Sequence, residues 1–543
     1  MKHPASCILI ILLSFLFVRL SYAQRYKIEL VKDINTTGSS LPHDLVVYKN
    51  KLVFAAGNPS WGNEPWISDG SREGTVMLKN INLRKNAVGD DSSDPEEFTI
   101  AGDQLYFHAN DDTHSYEPWI TDGTNDGTKL VKDLRPGGLS ANPSDFAAYN
   151  GRLIFSADGG YGDEPFISDG TPDGTYMIKN INTASSYPTG FFQFDSICYF
   201  SARSNSTGDE FWRTNGTEPG TYMVKQLNPI PGQSSHPMNF TTFGQRLFFS
   251  ANSGTYGWEL FSSDGTSAGT SLFVRTDTVT PTGSYPMNLF VYNDRLYFNA
   301  DDGIHGRELF SVSSDPKDLK MVKDINPDGN ADPADFTVYN GLLYFSADDS
   351  NGTELWVTDG SEAGTKRVSD INPYGDANPE WLTVFDNKLF FSAGGLLYYT
   401  NGTDTGTVQL GNDTIGLDNN YVSNLTVYNN SLFFSAQYDS LGIELYKVLV
   451  NPSSTGPKPP ENEFALRVYP NPCSDVLYFS ISKTPNDGIL EIINPQGNIV
   501  YTSKISCLTN GAVSIPLSTL QQGLYCLRLT SGNQSSVAKF IKY

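Results

Sequence analysis

The chain has 543 residues, of which 38% are hydrophobic and 13% aromatic, enough apolar material for packed cores and too much for wholesale disorder. Acidic residues outnumber basic ones 60 to 37, a formal net charge of -23, and such a surface repels nucleic-acid phosphates and anionic lipid headgroups. What remains open is an extracellular setting, with neutral glycans, proteins or divalent cations as partners.

Residues 1–23 read as a secretory signal. Lys2 supplies the positive start, Cys7 to Leu20 form an apolar run broken only by Ser14 and Arg19, and Ser21-Tyr22-Ala23 offers the small residues a signal peptidase needs, which predicts cleavage after Ala23. The run is too short for a comfortable membrane span, and no later segment approaches the ~20 apolar residues that a span requires. The mature chain is therefore expected to leave the cytoplasm without a transmembrane segment.

From residue 24 to about 450 the sequence repeats. One phrase recurs as Glu64-Pro-Trp-Ile-Ser-Asp-Gly70, Glu117-Pro-Trp-Ile-Thr-Asp-Gly123, Glu164-Pro-Phe-Ile-Ser-Asp-Gly170, Glu210-Phe-Trp-Arg-Thr-Asn-Gly216, Glu259-Leu-Phe-Ser-Ser-Asp-Gly265 and Glu354-Leu-Trp-Val-Thr-Asp-Gly360, with degenerate copies near Glu308, Leu396 and Glu444. A second phrase of the type Leu-x-Phe-Ser-Ala precedes each one, from Leu52–Ala56 to Leu432–Ala436. Nine units with a period of roughly 47 residues fit the blades of a β-propeller. Each unit parses into four strands. The first ends at a Tyr-Asn turn such as Tyr149-Asn150-Gly151, which suits a tight hairpin. The Leu-x-Phe-Ser-Ala and Glu-Leu-Trp phrases supply the second and third strands. A Val-Lys-Asp-Ile-Asn phrase, seen at Val322–Asn326, supplies the fourth. A copy of that last phrase, Val31-Lys32-Asp33-Ile34-Asn35, stands before the first complete unit, and the ninth unit lacks one. An all-β ring of about nine four-stranded blades, with the N-terminal strand closing the last blade, is the architecture this offset predicts.

These phrases resemble the ELWxxDGT repeat family of bacterial exported proteins, a resemblance that implies a repeat architecture and export but no settled activity. Two units depart from the pattern: the sixth at Ser313-Ser314-Asp315-Pro316, the eighth by placing Leu396 where the others carry Glu.

Residues 451–463 are rich in Pro and polar groups, the composition of a semi-extended linker. Beyond them, 464–543 show alternating runs at Val476–Ile481, Leu490–Ile493, Ile499–Thr502 and Leu524–Leu529, expected to form a small Ig-like β-sandwich. Three landmarks fall in order here: Tyr469-Pro470-Asn471-Pro472, then Gly523-Leu524-Tyr525, then Lys539 in the closing Lys539-Phe540-Ile541-Lys542. They resemble a type A sorting domain of the type IX secretion system of Bacteroidota, which implies passage across the outer membrane by that machinery and delivery to the surface or the medium. An adhesive Ig-like module is the alternative. Cys473, Cys507 and Cys526 lie in this segment and allow one disulfide. Cys198, in a repeat strand, reads as a small core hydrophobe.

Candidate chemistry is sparse. Six histidines include no paired metal spacing, and neither a nucleophile elbow nor a phosphate-binding glycine loop is present. The repeated Glu needs a buried partner, most simply backbone N–H groups or Ser/Thr hydroxyls. Calcium is the one cofactor the loops suggest, through Asp301, Asp302, Asp348, Asp349 and Glu354, although none reproduces a known calcium loop. Three functions follow: a non-enzymatic surface or secreted binding scaffold for a glycan or protein, an extracellular polysaccharide-acting enzyme using paired carboxylates, or a structural matrix component.

Overall fold

The computed structural model describes residues 25–84, 92–411, 421–438, 440–450 and, in the C-terminal part, most of 466–542. Two compact units emerge, 1–451 and 452–543. Among the described residues no helix is long and apolar enough to cross a membrane. Residues 1–24, with the predicted cleavage at Ala23, and the 451–463 linker lie outside the described residues.

Within residues 26–450 the strands form nine four-stranded antiparallel sheets. Eight are built from consecutive strands. In the third, Ser144–Tyr149 pairs with Arg152–Asp158, that with Asp163–Ser168, and that with the two-residue strand Tyr176–Met177. The Asn150-Gly151 hairpin has φ of +47° and +74°, the doubly left-handed backbone the sequence predicts. The ninth sheet differs in origin. Its fourth strand is Tyr26–Lys32, which pairs antiparallel with Glu444–Val450 across the length of the unit.

The second strand of every sheet is buried on both faces: Leu52, Val53, Phe54, Ala55 and Ala56 are all fully buried. The reason is that the cores lie between sheets. One cluster joins Tyr48, Val53 and Leu78 of the first sheet to Phe98, Phe107 and Trp119 of the second. Another joins Val31, Ile34 and Phe433 of the ninth to Leu52, Phe54 and Trp66 of the first. The first strand of each sheet contacts the first strand of the next, and the ninth contacts the first in the same way. Lysines add a polar tie of constant direction: Nζ of Lys132, Lys179 and Lys225 donates to the carbonyl of Thr175, Thr221 and Thr270 in the following sheet, and Lys32 of the ninth sheet does so to Thr75 of the first.

The Asp-Gly…Gly-Thr loops explain their own sequence. Asp69 Oδ1 accepts from the backbone and side chain of Ser71, and its carboxylate lies where a Cβ on Gly74 would sit, 2.1 Å away. The second glycine is thus fixed by close packing, whereas Gly70 is fixed by its φ of +88°. The sixth unit, with Asp315-Pro316, replaces the loop by a short 3-10 helix, Pro316–Asp318, as the missing glycines require. One expectation needs correcting. The fourth strand does not run to the end of the Val-Lys-Asp-Ile-Asn phrase: it stops at Lys323 in the sixth sheet and at Leu130 in the second, and beyond it the N–H groups of Ile325 and Leu134 are taken by glutamate side chains.

In the C-terminal unit a three-stranded sheet (466–469, 476–481, 513–516) and a four-stranded sheet (487–493, 499–506, 523–531, 534–542) share one core containing Leu477, Phe479, Ile492, Ile515, Leu527 and Phe540.

A chain lacking residues 25–35 is expected to melt at a clearly lower temperature and to be cut faster by protease than the chain beginning at residue 24. The burial of Val31 and Ile34 alone accounts for about 3–6 kcal/mol. Thermal scans of the two chains check this; equal melting temperatures would refute the role given to the N-terminal strand.

Candidate functional site

Eight glutamates that open the third strands are buried almost completely, Glu64, Glu117, Glu164, Glu210, Glu259, Glu308, Glu354 and Glu444. Each sits opposite an alanine of the second strand, Ala56 against Glu64 and Ala436 against Glu444, for example, and the small partner leaves room for the carboxylate. The carboxylate reaches forward to the segment that leaves the fourth strand. Glu210 accepts from the backbone of Leu227 and from Ser235 Oγ, each at 2.7 Å; Glu64 accepts from Ile81, Asn82 and Ser93. In the ninth sheet Glu444 accepts from Ile34, Asn35 and Ser40, which are supplied by the N-terminal segment. Only the eighth sheet, with Leu396, lacks the carboxylate among the described residues.

Burial pushes these carboxyls up against the opposing pull of their hydrogen bonds: to about 8 for Glu64 and Glu117, and to about 7 for Glu259, Glu308 and Glu444.

Two neighbouring positions lie at this end of each sheet, beside the clamp in the eight that have one. One precedes the glutamate, or Leu396 in the eighth sheet. The other follows the clamped serine or alanine and stands before a proline in eight units. This second residue is left-handed in all nine units, with φ between +42° and +54°: Leu41, Asp94, Asn142, Tyr187, His236, Tyr285, Asp332, Asn378 and Tyr421. Its N–H commonly bonds the carbonyl of the first, as Tyr285 does to Trp258 and His236 to Asp209. The backbone repeats, but the side chains do not: Asn63 faces Asp94, Arg307 pairs with Asp332, and Trp258 stands beside Tyr285.

Across the fourth to sixth sheets these positions gather into an aromatic and charged cluster. His236 and Trp258 are stacked with centroids 6.1 Å apart and planes 7° from parallel, and Trp258 and Tyr285 with centroids 5.5 Å apart. Asp209 is buried, yet bonds from His236, Arg203 and Ser234 hold its carboxyl well below the usual range against the upward push of burial. Arg203 lies over the Tyr187 ring. None of these residues was singled out from sequence as a site. The available signal was the X-Pro dipeptide before eight of the nine units, where X varies while the surrounding phrases repeat.

The residues that were singled out are placed as follows. Asp301 and Asp348 cap their own turns at Gly303 and Ser350. Asp302 accepts from the backbone of Ile304 and His305 and from the His305 ring. Asp349 bonds the N–H of Asn351 and pairs with Arg367, and Glu354 is a clamp to Ile371 and Asn372. Among the described residues no group of three or more His, Cys, Asp or Glu could hold a metal. His108 Nδ1 donates to the Pro143 carbonyl, 2.8 Å away, the role Asn299 plays toward Pro333. Cys198 is buried, and burial raises its thiol pKa. In the C-terminal unit Tyr469 pairs with Tyr478, while Gly523, Tyr525 and Lys539 lie on adjacent strands, Tyr525 stacked on Phe540. Pro470, Asn471, Pro472, Cys473 and Cys507 lie outside the described residues.

A further cavity is lined by Asp44, Glu97, Asp145, Trp381 and Asn424. These are the left-handed residues at the bulges of five first strands. Both Glu97 oxygens are occupied by the N–H groups of Asp145 and Phe146.

Two outcomes follow. Glu117→Ala strands the buried N–H groups of Leu134 and Ala141, at about 1–3 kcal/mol each, and is expected to lower the melting temperature. Because the folded carboxyls bind protons up to pH 7–8 while unfolded ones lose them near 4.3, the native state carries more protons between these values. Stability therefore falls as pH rises through that window; melting scans from pH 5 to 9 check it, and a rise would refute it.

No curated protein matches the sequence. Among solved structures, the extracellular domain of a hybrid two component system of B. thetaiotaomicron is 11% identical, with a TM-score of 0.31, covering 92% of this chain and 80% of that one. A prolyl endopeptidase structure is 8% identical with a TM-score of 0.37, covering 68% and 55%. Puromycin hydrolase is 11% identical with a TM-score of 0.36, covering 68% and 60%. Residues 467–543 match the family described as the secretion system C-terminal sorting domain. The C-terminal unit is thus a type IX sorting domain, and the chain that carries it is exported to the cell surface or secreted.

Proposed function

We propose that the large unit is a closed nine-bladed β-propeller serving as a non-enzymatic binding scaffold, exported by a signal peptide cleaved after Ala23 and then by type IX secretion. Closure is supported by the pairing of Tyr26–Lys32 with Glu444–Val450, and by one cavity drawing residues from the first three and last two sheets. The C-terminal unit, with two sheets on one core, is read as an Ig-like sandwich. The repeat phrases keep their likeness to ELWxxDGT proteins.

The observation that carries the binding function is the pair of variable positions per blade. A repeated clamp holds a repeated backbone there, so the fold leaves the side chains undetermined, and specificity is free to reside in them. A polysaccharide-acting enzyme would need two uncommitted facing carboxylates; at the cavity Glu97 is committed to the N–H groups of Asp145 and Phe146, and Asp145 accepts from Gly190. Asp301, Asp302, Asp348 and Asp349 lie in loops at the same end, where calcium would act on loop order if it binds.

The test is to probe an array of glycans and extracellular-matrix proteins with the full chain, with calcium and with chelator. A defined ligand is expected; no ligand in either condition would refute the scaffold reading. For export, deletion of residues 467–543 is expected to leave the chain in the periplasm of a type IX-competent host, as read by fractionation.

A further inference from the structure

The variable positions are not equivalent around the unit. Half carry small polar residues or charges, such as Asn63 beside Asp94 and Arg307 with Asp332, and the rings Tyr116, Tyr187 and Tyr421 each stand without a ring at the position before or after. Between the fourth and sixth sheets three consecutive positions are rings instead: His236, Trp258 and Tyr285. The scaffold does not require them, since the place of Trp258 is taken by Thr353 two sheets later. They are also costly to keep. Tyr285 is 41% exposed and the His236 side chain 48%, so hydrophobic area stays in water. Both have left-handed backbones, at φ +48° and +44°, which bulky side chains adopt at some cost.

Their geometry points to a ligand. Parallel rings in direct overlap sit at about 3.5–4.0 Å, whereas His236 and Trp258 are nearly parallel with centroids 6.1 Å apart. The two rings are therefore not in full face-to-face contact, and neither covers the whole face of the other. The electron-rich face of an aromatic ring attracts partially positive hydrogens, which the C–H face of a pyranose presents. Steps of 6.1 and 5.5 Å are close to the length of one sugar unit. The polar surroundings are fixed beforehand. Asp209 is held by His236 and by the Arg203 fork, with Nε at 3.1 Å and Nη2 at 2.9 Å. Arg203 keeps exposed N–H donors beside the Tyr187 ring, in reach of ligand hydroxyls. Because Arg203 and Arg307 are each paired to an aspartate, the site offers little net charge on a protein at -23. That favours an uncharged ligand over an anionic one.

We propose that His236, Trp258 and Tyr285 form a stacking platform for consecutive sugar rings of a neutral glycan, with Arg203 and Asp209 as its polar wall. This deepens the scaffold reading and rests on it. The test is native affinity electrophoresis of the full chain in gels containing dextran, laminarin, mannan or arabinoxylan, with polygalacturonate as the charged counterpart. At least one neutral polymer is expected to retard the chain, and high salt to leave the retardation unchanged. Trp258→Thr, which copies Thr353, should weaken it about tenfold at an unchanged melting temperature, and Trp258→Phe should restore most of it. Retardation by polygalacturonate alone, or by no polymer, or equal retardation of Trp258→Thr, would overturn the platform. A ligand from the array that binds wild type and Trp258→Thr alike removes this site and leaves the scaffold reading standing. Absence of any ligand in both experiments removes both.

Discussion

The large unit depends on a carboxylate placed where carboxylates are seldom found. An isolated buried Glu is expensive, and here it is tolerated because its oxygens meet backbone N–H groups that would otherwise be buried without partners. The segment leaving the sheet carries N–H donors that need an acceptor, and in eight sheets the glutamate at the start of the third strand provides one. In eight of the nine sheets this exchange pins the chain before it enters the next sheet, with an alanine opposite that leaves room for the carboxylate. The eighth sheet, which carries Leu396, manages without it, so the clamp is distributed over the unit and not concentrated at one point.

The same interaction links architecture to display. Trp258 precedes a clamp glutamate, and Tyr285 follows Ser284, whose Oγ lies 2.7 Å from that glutamate. Their relative position is therefore held by that buried bond and by the backbone bonds of Ser284 and Tyr285 to the Trp258 carbonyl. A binding surface mounted in this way is preorganised: a ligand need not bear the cost of ordering the residues that touch it.

Much of the fold could be read from the sequence because it is written many times. The four-strand parsing, the Asn-Gly hairpins, the departure at Pro316 and the displaced N-terminal strand all rest on comparing units with one another. The extent of the fourth strand could not be read that way. Lys129–Leu130 and Val131–Leu134 look alike as β-formers, and past the strand's end the N–H of Leu134 goes to Glu117, a side chain that no local pattern announces. The candidate site was illegible for the converse reason. Repeat comparison finds what recurs, whereas Tyr187, Asp209, His236, Trp258 and Tyr285 matter because they do not. The landmarks of the C-terminal unit were legible because they form a local linear pattern, and the structure brings Gly523, Tyr525 and Lys539 onto adjacent strands.

The pairing of Tyr26–Lys32 with Glu444–Val450 also sets an order of events. Loop closure over that separation is the most demanding step in entropy, and contacts between distant residues form late. Until the last repeat has been made, the first strand has no partner and the ninth sheet has only three strands, each exposing an edge open to wrong pairings. The charged residues Lys27, Glu29 and Lys32 on that first strand are suited to this waiting period. They make the edge unattractive to another copy while it stands alone, and Lys32 turns into a tie to Thr75 once its place is filled.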